Sequence, residues 1–273
     1  MTRLPVRAER HLSMLDEFQR KSFLTVTELV AALGASPMTV RRDLRRLAEE
    51  GAVKLVHGGA VRVAGSPMEK MFGGRQILNV AEKSAIGEFA AGLASGCEVI
   101  GLDGGTTALA VARALRPTEQ LTVVTHSLPA MAELADRSPI EVMGLGGLLQ
   151  AHTLAFAGPS VAAMLRRVRL GALFLSTTGF TLEGGMTCVS VYETETKRAL
   201  IAAAERVVLI TDHSKLGRVF ATPVASFDAV HDVVVDAGLP DEVRHDLEKR
   251  GIRVHIVDAA AAGVHGEGVR LSG

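Results

Sequence analysis

The chain has 273 residues, 48% of them hydrophobic, with 30 Lys and Arg against 30 Asp and Glu. That composition supports a sizeable core and argues against a largely disordered chain, while a formal net charge of zero argues against a DNA-binding surface spread over the whole molecule. With no Trp and one Tyr, aromatic platforms for single-stranded nucleic acid are not expected. Binding charge must therefore be local. Residues 1–62 hold eleven Lys and Arg against seven Asp and Glu, an excess of four that the remainder offsets. Cys97 and Cys188 stand alone without metal-ligand spacing and read as reduced thiols of a cytoplasmic protein, with no metal and no cofactor expected. Arg3, Arg7 and Arg10 lead into no long apolar run, so no secretory leader is expected, and no stretch approaches the ~18 apolar residues of a membrane span.

The first expected element is a helix over 7–21 with Leu12, Leu15 and Phe18 on one face. A short β-prone run, 23–26, follows. Thr27 reads as the N-cap of a helix over 28–33, with Leu29 and Leu33 inward and Gly34 ending it. Ser36 reads as the next N-cap, with Pro37 at the first helical position, where a missing N–H does no harm. This third helix runs to Glu50 and stops at Gly51. At about 100° per residue, Val40, Leu44 and Leu47 share one side. Arg41, Arg42, Arg45 and Arg46 share the other, with Met38 and Thr39 near the start. A helix held by its core side and offering four guanidinium forks fits a major groove, since each fork grips a phosphate or a guanine edge through two hydrogen bonds. Glu49 is expected to pair with Arg45. Residues 52–63 then read as a β-hairpin wing that brings Lys54, His57 and Arg62 beside the groove. A merely solvated arginine face is the plain alternative; the caps, the short turn and the basic hairpin weigh against it. The expected DNA-contacting set is Ser36, Met38, Thr39, Arg41, Arg42, Arg45, Arg46, Lys54 and His57.

The string Ser36-x-x-Thr39-Val40-Arg41-Arg42-Asp43-Leu44-x-x-Leu47, followed by Gly51 and His57-Gly58-Gly59-Ala60, resembles the DeoR/GlpR family of bacterial repressors. Pro37 is its less typical element and remains compatible with a helix start.

Residues 64–80 mix Gly, Pro and polar residues without a clear period and read as a connector, partly helical. Beyond them a helix is expected over 81–95 and strands over 98–102, 121–125, 140–145, 172–176, 207–211, 232–236 and 253–257. Further helices are expected over 128–137, 159–168, 192–204 and 240–250. Apolar strands alternating with helices imply a mostly parallel sheet covered on both faces. The expected organisation is thus an α/β protein. A small winged helix-turn-helix domain over 1–63 is followed by a linker over 64–80, a larger mostly parallel α/β domain over 81–258 and a flexible tail over 259–273.

The polar signals fall in loops after the strands, where open α/β sheets bind ligands. Asp103-Gly104-Gly105-Thr106-Thr107 opens a helix after a strand; its glycines admit an anion, and its first-turn N–H groups and two hydroxyls can donate to it. Thr125-His126-Ser127, Gly146-Gly147 after Gly144-Leu145, Gly179 after Thr177-Thr178, Glu193-x-Glu195-x-Lys197-Arg198 and Asp212-His213-Ser214-Lys215-Leu216-Gly217 follow in order. Each alone is as well explained by a turn, a cap or a solvated face; their shared placement after successive strands points to one pocket. Together they resemble the effector domain of the same family, so the likeness spans nearly all of 7–218. The resemblance implies a fold similar to ribose-5-phosphate isomerase and an effector that is a sugar phosphate or close relative. Its phosphate would lie near Gly105, Thr106 and Thr107, with Lys197 and Lys215 adding positive charge and Asp103, Glu193 and Glu195 accepting sugar hydroxyls. His126 stands where the family usually has Asn. The alternative function is a sugar-phosphate isomerase fused to a DNA-binding module. The stretch 176–180, which corresponds to an acidic element of such enzymes, has no carboxylate, and binding without turnover is expected. The expected partners are double-stranded operator DNA, the phosphorylated metabolite and further copies of the chain, as a dimer or tetramer, with no membrane.

Overall fold

The computed structural model of the chain describes residues 10, 13–15, 17, 18, 21–49, 51–63, 71–117 and 119–259. Two units divide the chain, Met1–Val80 and Ala81–Gly273. Residues 64–70 of the expected linker, 260–273 of the expected tail and parts of the helix expected over 7–21 lie outside the described residues.

In the first unit residues 10, 13–15, 17 and 18 are helical, and Met14, Leu15 and Phe18 are buried. Strand β1 (Phe23–Thr25) leads into α1 (Val26–Leu33), which starts two residues earlier than its sequence suggests. The cap is Thr25 and not Thr27. Thr25 leaves the strand in an extended conformation and has a glutamate three residues on. Its hydroxyl accepts the Glu28 N–H at 3.2 Å, and the Glu28 carboxylate accepts the Thr25 N–H at 2.8 Å. Lys21, 2.5 Å from Glu28, and the Thr25 N–H hold that carboxyl down at about 2. After α2 (Pro37–Glu49), β2 (Val53–Val56) and β3 (Gly59–Arg62) form the wing, and β1 pairs with β3 to complete an antiparallel sheet of order β1-β3-β2. Val40, Leu44 and Leu47 of α2 are buried against this core. So is Asp43, whose carboxylate takes a hydrogen bond from Arg10 Nε at 2.6 Å and ties α2 to the first helix. The last stretch of the expected linker is ordered: Phe72–Gln76 form α3, and Ile77 is buried in the core of this same unit.

The second unit is built on a seven-stranded sheet. Helix α4 (Val80–Gly92) leads to β4 (Val99–Leu102), α5 (Thr106–Ala114), β5 (Leu121–Thr125), α6 (Leu128–Leu134) and β6 (Ile140–Gly144). A hairpin, β7 (Leu148–Gln150) and β8 (Ala155–Ala157), precedes α7 (Pro159–Leu165) and β9 (Ala172–Leu175). Then come β10 (Gly179–Thr181), β11 (Gly185–Cys188), α8 (Val191–Ala203), β12 (Val207–Ile210) and β13 (Thr222–Ala225). The unit closes with β14 (Asp232–Asp236), α9 (Asp241–Lys249) and β15 (Arg253–Val257). The main sheet has the order β15-β14-β12-β9-β4-β5-β6, and every pairing in it is parallel.

Its central strands are apolar on both faces. Leu173, Leu175, Leu209, Val233 and Val235 enter one core with residues of α7, α8 and α9, while Phe174, Val208, Ile210 and Val234 enter another with residues of α4, α5 and α6. Alternate residues of one strand thus serve opposite layers, as a doubly covered parallel sheet requires. Two small additions went unread in the sequence: the β7–β8 hairpin and an antiparallel sheet of order β10-β11-β13. No described helix is long and apolar enough to cross a membrane.

Candidate functional site

Two surfaces collect the residues singled out by the sequence, one in each unit. On α2 the guanidinium groups of Arg41, Arg42 and Arg45 are exposed and Arg46 is half-buried. None of the four makes a hydrogen bond or ion pair with a described residue, whereas Asp43, on the core side of the same helix, is paired. Charge on this helix is therefore sorted by face. The expected Glu49–Arg45 pair is not formed among the described residues: both side chains stand in solvent, where such a pair gains little. At the helix start Ser36 Oγ accepts the Thr39 N–H at 3.3 Å and lies 2.9 Å from Thr39 Oγ1, so the two hydroxyls form the cap while remaining exposed. Met38 beside them is 81% exposed. An open groove lined by Val30, Pro37, Arg41, Arg45, Leu55 and His57 runs between α2 and the wing, and Lys54 and His57 of the wing are exposed.

In the second unit the loops after β4, β5 and β9 and the start of α8 converge on one buried carboxylate. Asp103 lies at the carboxyl end of β4 and is fully buried. Lys197 Nζ donates to its Oδ2, and Ser176 N–H donates to the same oxygen at 2.9 Å. The Ser176 hydroxyl lies 2.8 Å from that oxygen and 2.6 Å from the Gly104 carbonyl, either of which it can donate to. His126 Nε2 is 3.0 Å from Oδ1. Lys197 also donates to the Ser176 carbonyl at 2.9 Å and stands 3.7 Å from Glu193, one helical turn before it. Burial alone would raise the Asp103 carboxyl, but the Lys197 ammonium and His126 hold it far below the usual carboxylate range. Burial alone would lower Lys197, but Asp103 raises it above its ordinary value. The same burial pushes the Cys188 thiol up to about 12, which leaves it a poor nucleophile.

His126 has a second commitment. Its Nδ1 is 2.8 Å from the Phe156 carbonyl of β8, and its own carbonyl accepts the Phe156 N–H at 2.8 Å. Both ring nitrogens thus lie within hydrogen-bond distance of an oxygen, and the ring bridges Asp103 and the hairpin.

The remaining expected residues divide. Gly105 has φ +107°, a conformation that favours glycine, and opens α5 with Thr106 half-buried and Thr107 buried; a Cβ on it would meet Ser176 Oγ at 3.3 Å. This loop therefore lies against the Asp103 group. Thr125 accepts the Ser127 N–H, and Ser127 caps α6, so both hydroxyls serve the turn. Gly146 and Gly147 sit beside Ala157 and Ser160, next to the hairpin. Gly179 packs against the Arg218 backbone. Asp212 caps the short turn His213–Lys215 by accepting the Ser214 N–H at 3.1 Å. Glu195 is exposed, about 200° around α8 from Glu193, and does not join the group. Two expected roles do not fit the geometry: both Asp103 oxygens and the Lys197 ammonium are already engaged with the protein itself. A cavity of about 710 Å³ near Cys97, Glu98 and Leu115 lies at the opposite, amino-terminal end of β4 and β5 and holds none of these residues.

Residues 10–65 match the DeoR-like helix-turn-helix domain, and residues 78–237 match the DeoR C-terminal sensor domain. The HTH-type transcriptional regulator GolR of Listeria innocua is 32% identical over 92% of this chain and 98% of its own length. GlpR of Haloferax volcanii, also an HTH-type transcriptional regulator, is 32% identical over 93% and 98%. The transcriptional repressor AccR of Agrobacterium fabrum is 30% identical over 84% and 90%. Among solved structures, ribose 5-phosphate isomerase A of Neisseria gonorrhoeae superposes with a TM-score of 0.37 at 20% identity, covering 49% of this chain and 52% of that one.

Proposed function

The chain belongs to the DeoR family of transcriptional regulators, and from that premise we propose that it represses a carbohydrate-metabolism operon with an operator affinity set by a phosphorylated sugar or related metabolite. The observation that carries the DNA-binding half is the sorting of charge on α2, where none of the four arginines on the face turned from the core pairs with a described residue. Guanidinium groups without a partner among the described residues, beside a cap and an exposed Met38, can hold phosphates and base edges. A single module of this size buries too little surface for tight specific binding, so paired copies on repeated half-sites are part of the proposal.

For the sensor half, the support is the convergence of three post-strand loops and α8 on Asp103, with the glycine loop Gly104–Thr107 lying against it. The anion would be held by the first-turn N–H groups of α5 and the Thr106 and Thr107 hydroxyls. Lys197 contributes by fixing Asp103 and Ser176 rather than by direct contact. Binding proceeds without turnover, because the carboxylate at the centre is locked in an ion pair and Glu183, the acid nearest in sequence to the carboxylate-free stretch 176–180, is exposed. The effector acts by binding the DNA-competent and DNA-incompetent states with different affinity.

Thr106→Ala combined with Thr107→Ala is expected to leave operator affinity within about twofold of the wild type and to abolish the response to the metabolite that moves the wild type. Operator-binding titrations with and without a panel of sugar phosphates check this. A double variant that still responds in full would remove the α5 loop from the site.

A further inference from the structure

We infer that His213 reads a hydroxyl of the effector, accepting its hydrogen at Nε2; the inference rests on the sensor reading above. The sequence draws attention to Asp212 and Lys215 on either side of this histidine, but the structure builds a seat for the ring itself. Asp236, at the carboxyl end of β14 and almost fully buried, receives His213 Nδ1 at 2.6 Å on one oxygen and the His213 backbone N–H at 2.7 Å on the other. Gly238 N–H donates to the first of these oxygens at 3.1 Å. A Cβ on Gly238 would stand 2.5 Å from the ring, so the imidazole lies flush against a backbone that only glycine provides.

The ring is thus fixed from behind while its side chain remains 43% exposed, and no described residue hydrogen-bonds Nε2. A carboxylate only accepts, so Nδ1 carries the hydrogen of this contact, and in the Nδ1–H tautomer Nε2 is the ring's acceptor. That acceptor stands at the ligand-binding edge of the sheet. The loop that carries it runs beside the Asp103 group: Gly217 N–H donates to the Phe180 carbonyl at 2.9 Å, four residues after Ser176. His213 follows β12, two strands from β4, and its ring rests on Asp236 of β14, three strands from β4, so the two centres are two to three inter-strand spacings apart, on the order of 10–15 Å. A small metabolite with an anionic end and hydroxyls along its length spans that distance. Asp103 is buried and already takes hydrogen bonds from Lys197, His126 and Ser176, whereas no described residue hydrogen-bonds His213 Nε2.

The test uses the full chain with ribose 5-phosphate, fructose 6-phosphate, glycerol 3-phosphate and inorganic phosphate as probes, read by thermal shift and titration. At least one organic phosphate is expected to stabilise the wild type. His213→Ala is expected to weaken it tenfold or more while leaving the shift with inorganic phosphate unchanged. His213→Gln, which restores an acceptor, recovers part of the loss. Asp236→Asn loses one of the acceptors that seat the ring and is expected to weaken binding as well, with a change in the His213 ring ¹⁵N shifts. Wild-type affinity in a folded His213→Ala overturns the inference and leaves the sensor reading standing. If no probe stabilises the wild type, the sensor reading fails and the inference falls with it. Should His213→Ala not fold, an Nε2 shift in the wild type that does not move on saturation with the probe overturns it.

Discussion

Arg42→Ala is expected to weaken binding to the operator by tenfold or more without loss of fold. Arg42 is exposed, and among the described residues its removal breaks no hydrogen bond or ion pair. A bidentate contact to a base is worth about 1–3 kcal/mol of discrimination, and losing one relaxes preference at a single base pair. If the guanidinium holds a phosphate instead, all sequences weaken alike and the slope of log affinity against log salt falls by about one. Titrations of operator and scrambled duplex at several salt concentrations separate the two cases. A variant unchanged in affinity, preference and slope takes Arg42 out of the interface. The contrast is Asp43, one residue on, whose loss would free the Arg10 contact and act through stability rather than recognition.

The second large effect falls in the sensor unit. Lys197→Met is expected to destabilise it by about 3–5 kcal/mol, because an ionised carboxylate is left buried without its ammonium. For a unit of this size that lowers the melting temperature by about 10 °C. Lys197→Met joined to Asp103→Leu is expected to recover much of the loss, since removing both charges removes the desolvation cost. The pH dependence follows from the directions of the shifts. Asp103 is depressed in the folded state, so its contribution is present above about pH 4, the ordinary carboxylate value, and is lost as pH falls through the depressed one. Lys197 is raised, so its contribution is present below about pH 10 and is lost only as pH rises beyond it. In Lys197→Met the Asp103 carboxyl loses the ammonium that depresses it and takes up a proton more readily, so the stability gap to the wild type narrows as pH falls toward and through about 4. Thermal melts between pH 3 and pH 9 (chosen to bracket that change) read this directly, and a gap independent of pH would mean that the pair is not what holds the centre.

The parts of this molecule that were legible in its sequence are those set by short-range pattern. The arginine face of α2 follows from helical periodicity, and the β-runs of the main sheet follow from continuous apolar stretches that only a doubly covered strand requires. Strands of three residues, as in β7, β8 and β10, give too few alternations to stand out from a loop. The capping of α1 by Thr25 was missed although its signal, a glutamate three residues on, was present; Thr27 lacks it. The effector group was legible as a set of polar loops but not as a network. Asp103 meets Ser176 and Lys197 across separations of 73 and 94 residues, and nothing local says that a lysine will turn inward to a carboxylate rather than out to a ligand. The same holds for Asp43, which lies within a run of arginines yet finds Arg10, 33 positions away. His213 was passed over because histidine in a turn is unremarkable until Asp236 and Gly238 are seen behind it.

The central claim is that the guanidinium face of α2 recognises a particular duplex. Fluorescence anisotropy of the full chain with labelled duplex from its own promoter, against scrambled duplex of equal length and at rising salt, tests it most directly. The account expects tight, salt-sensitive binding to the promoter duplex that exceeds the scrambled control at every salt concentration and that a phosphorylated sugar shifts. Equal binding to both duplexes, or none to either at low ionic strength, would contradict it.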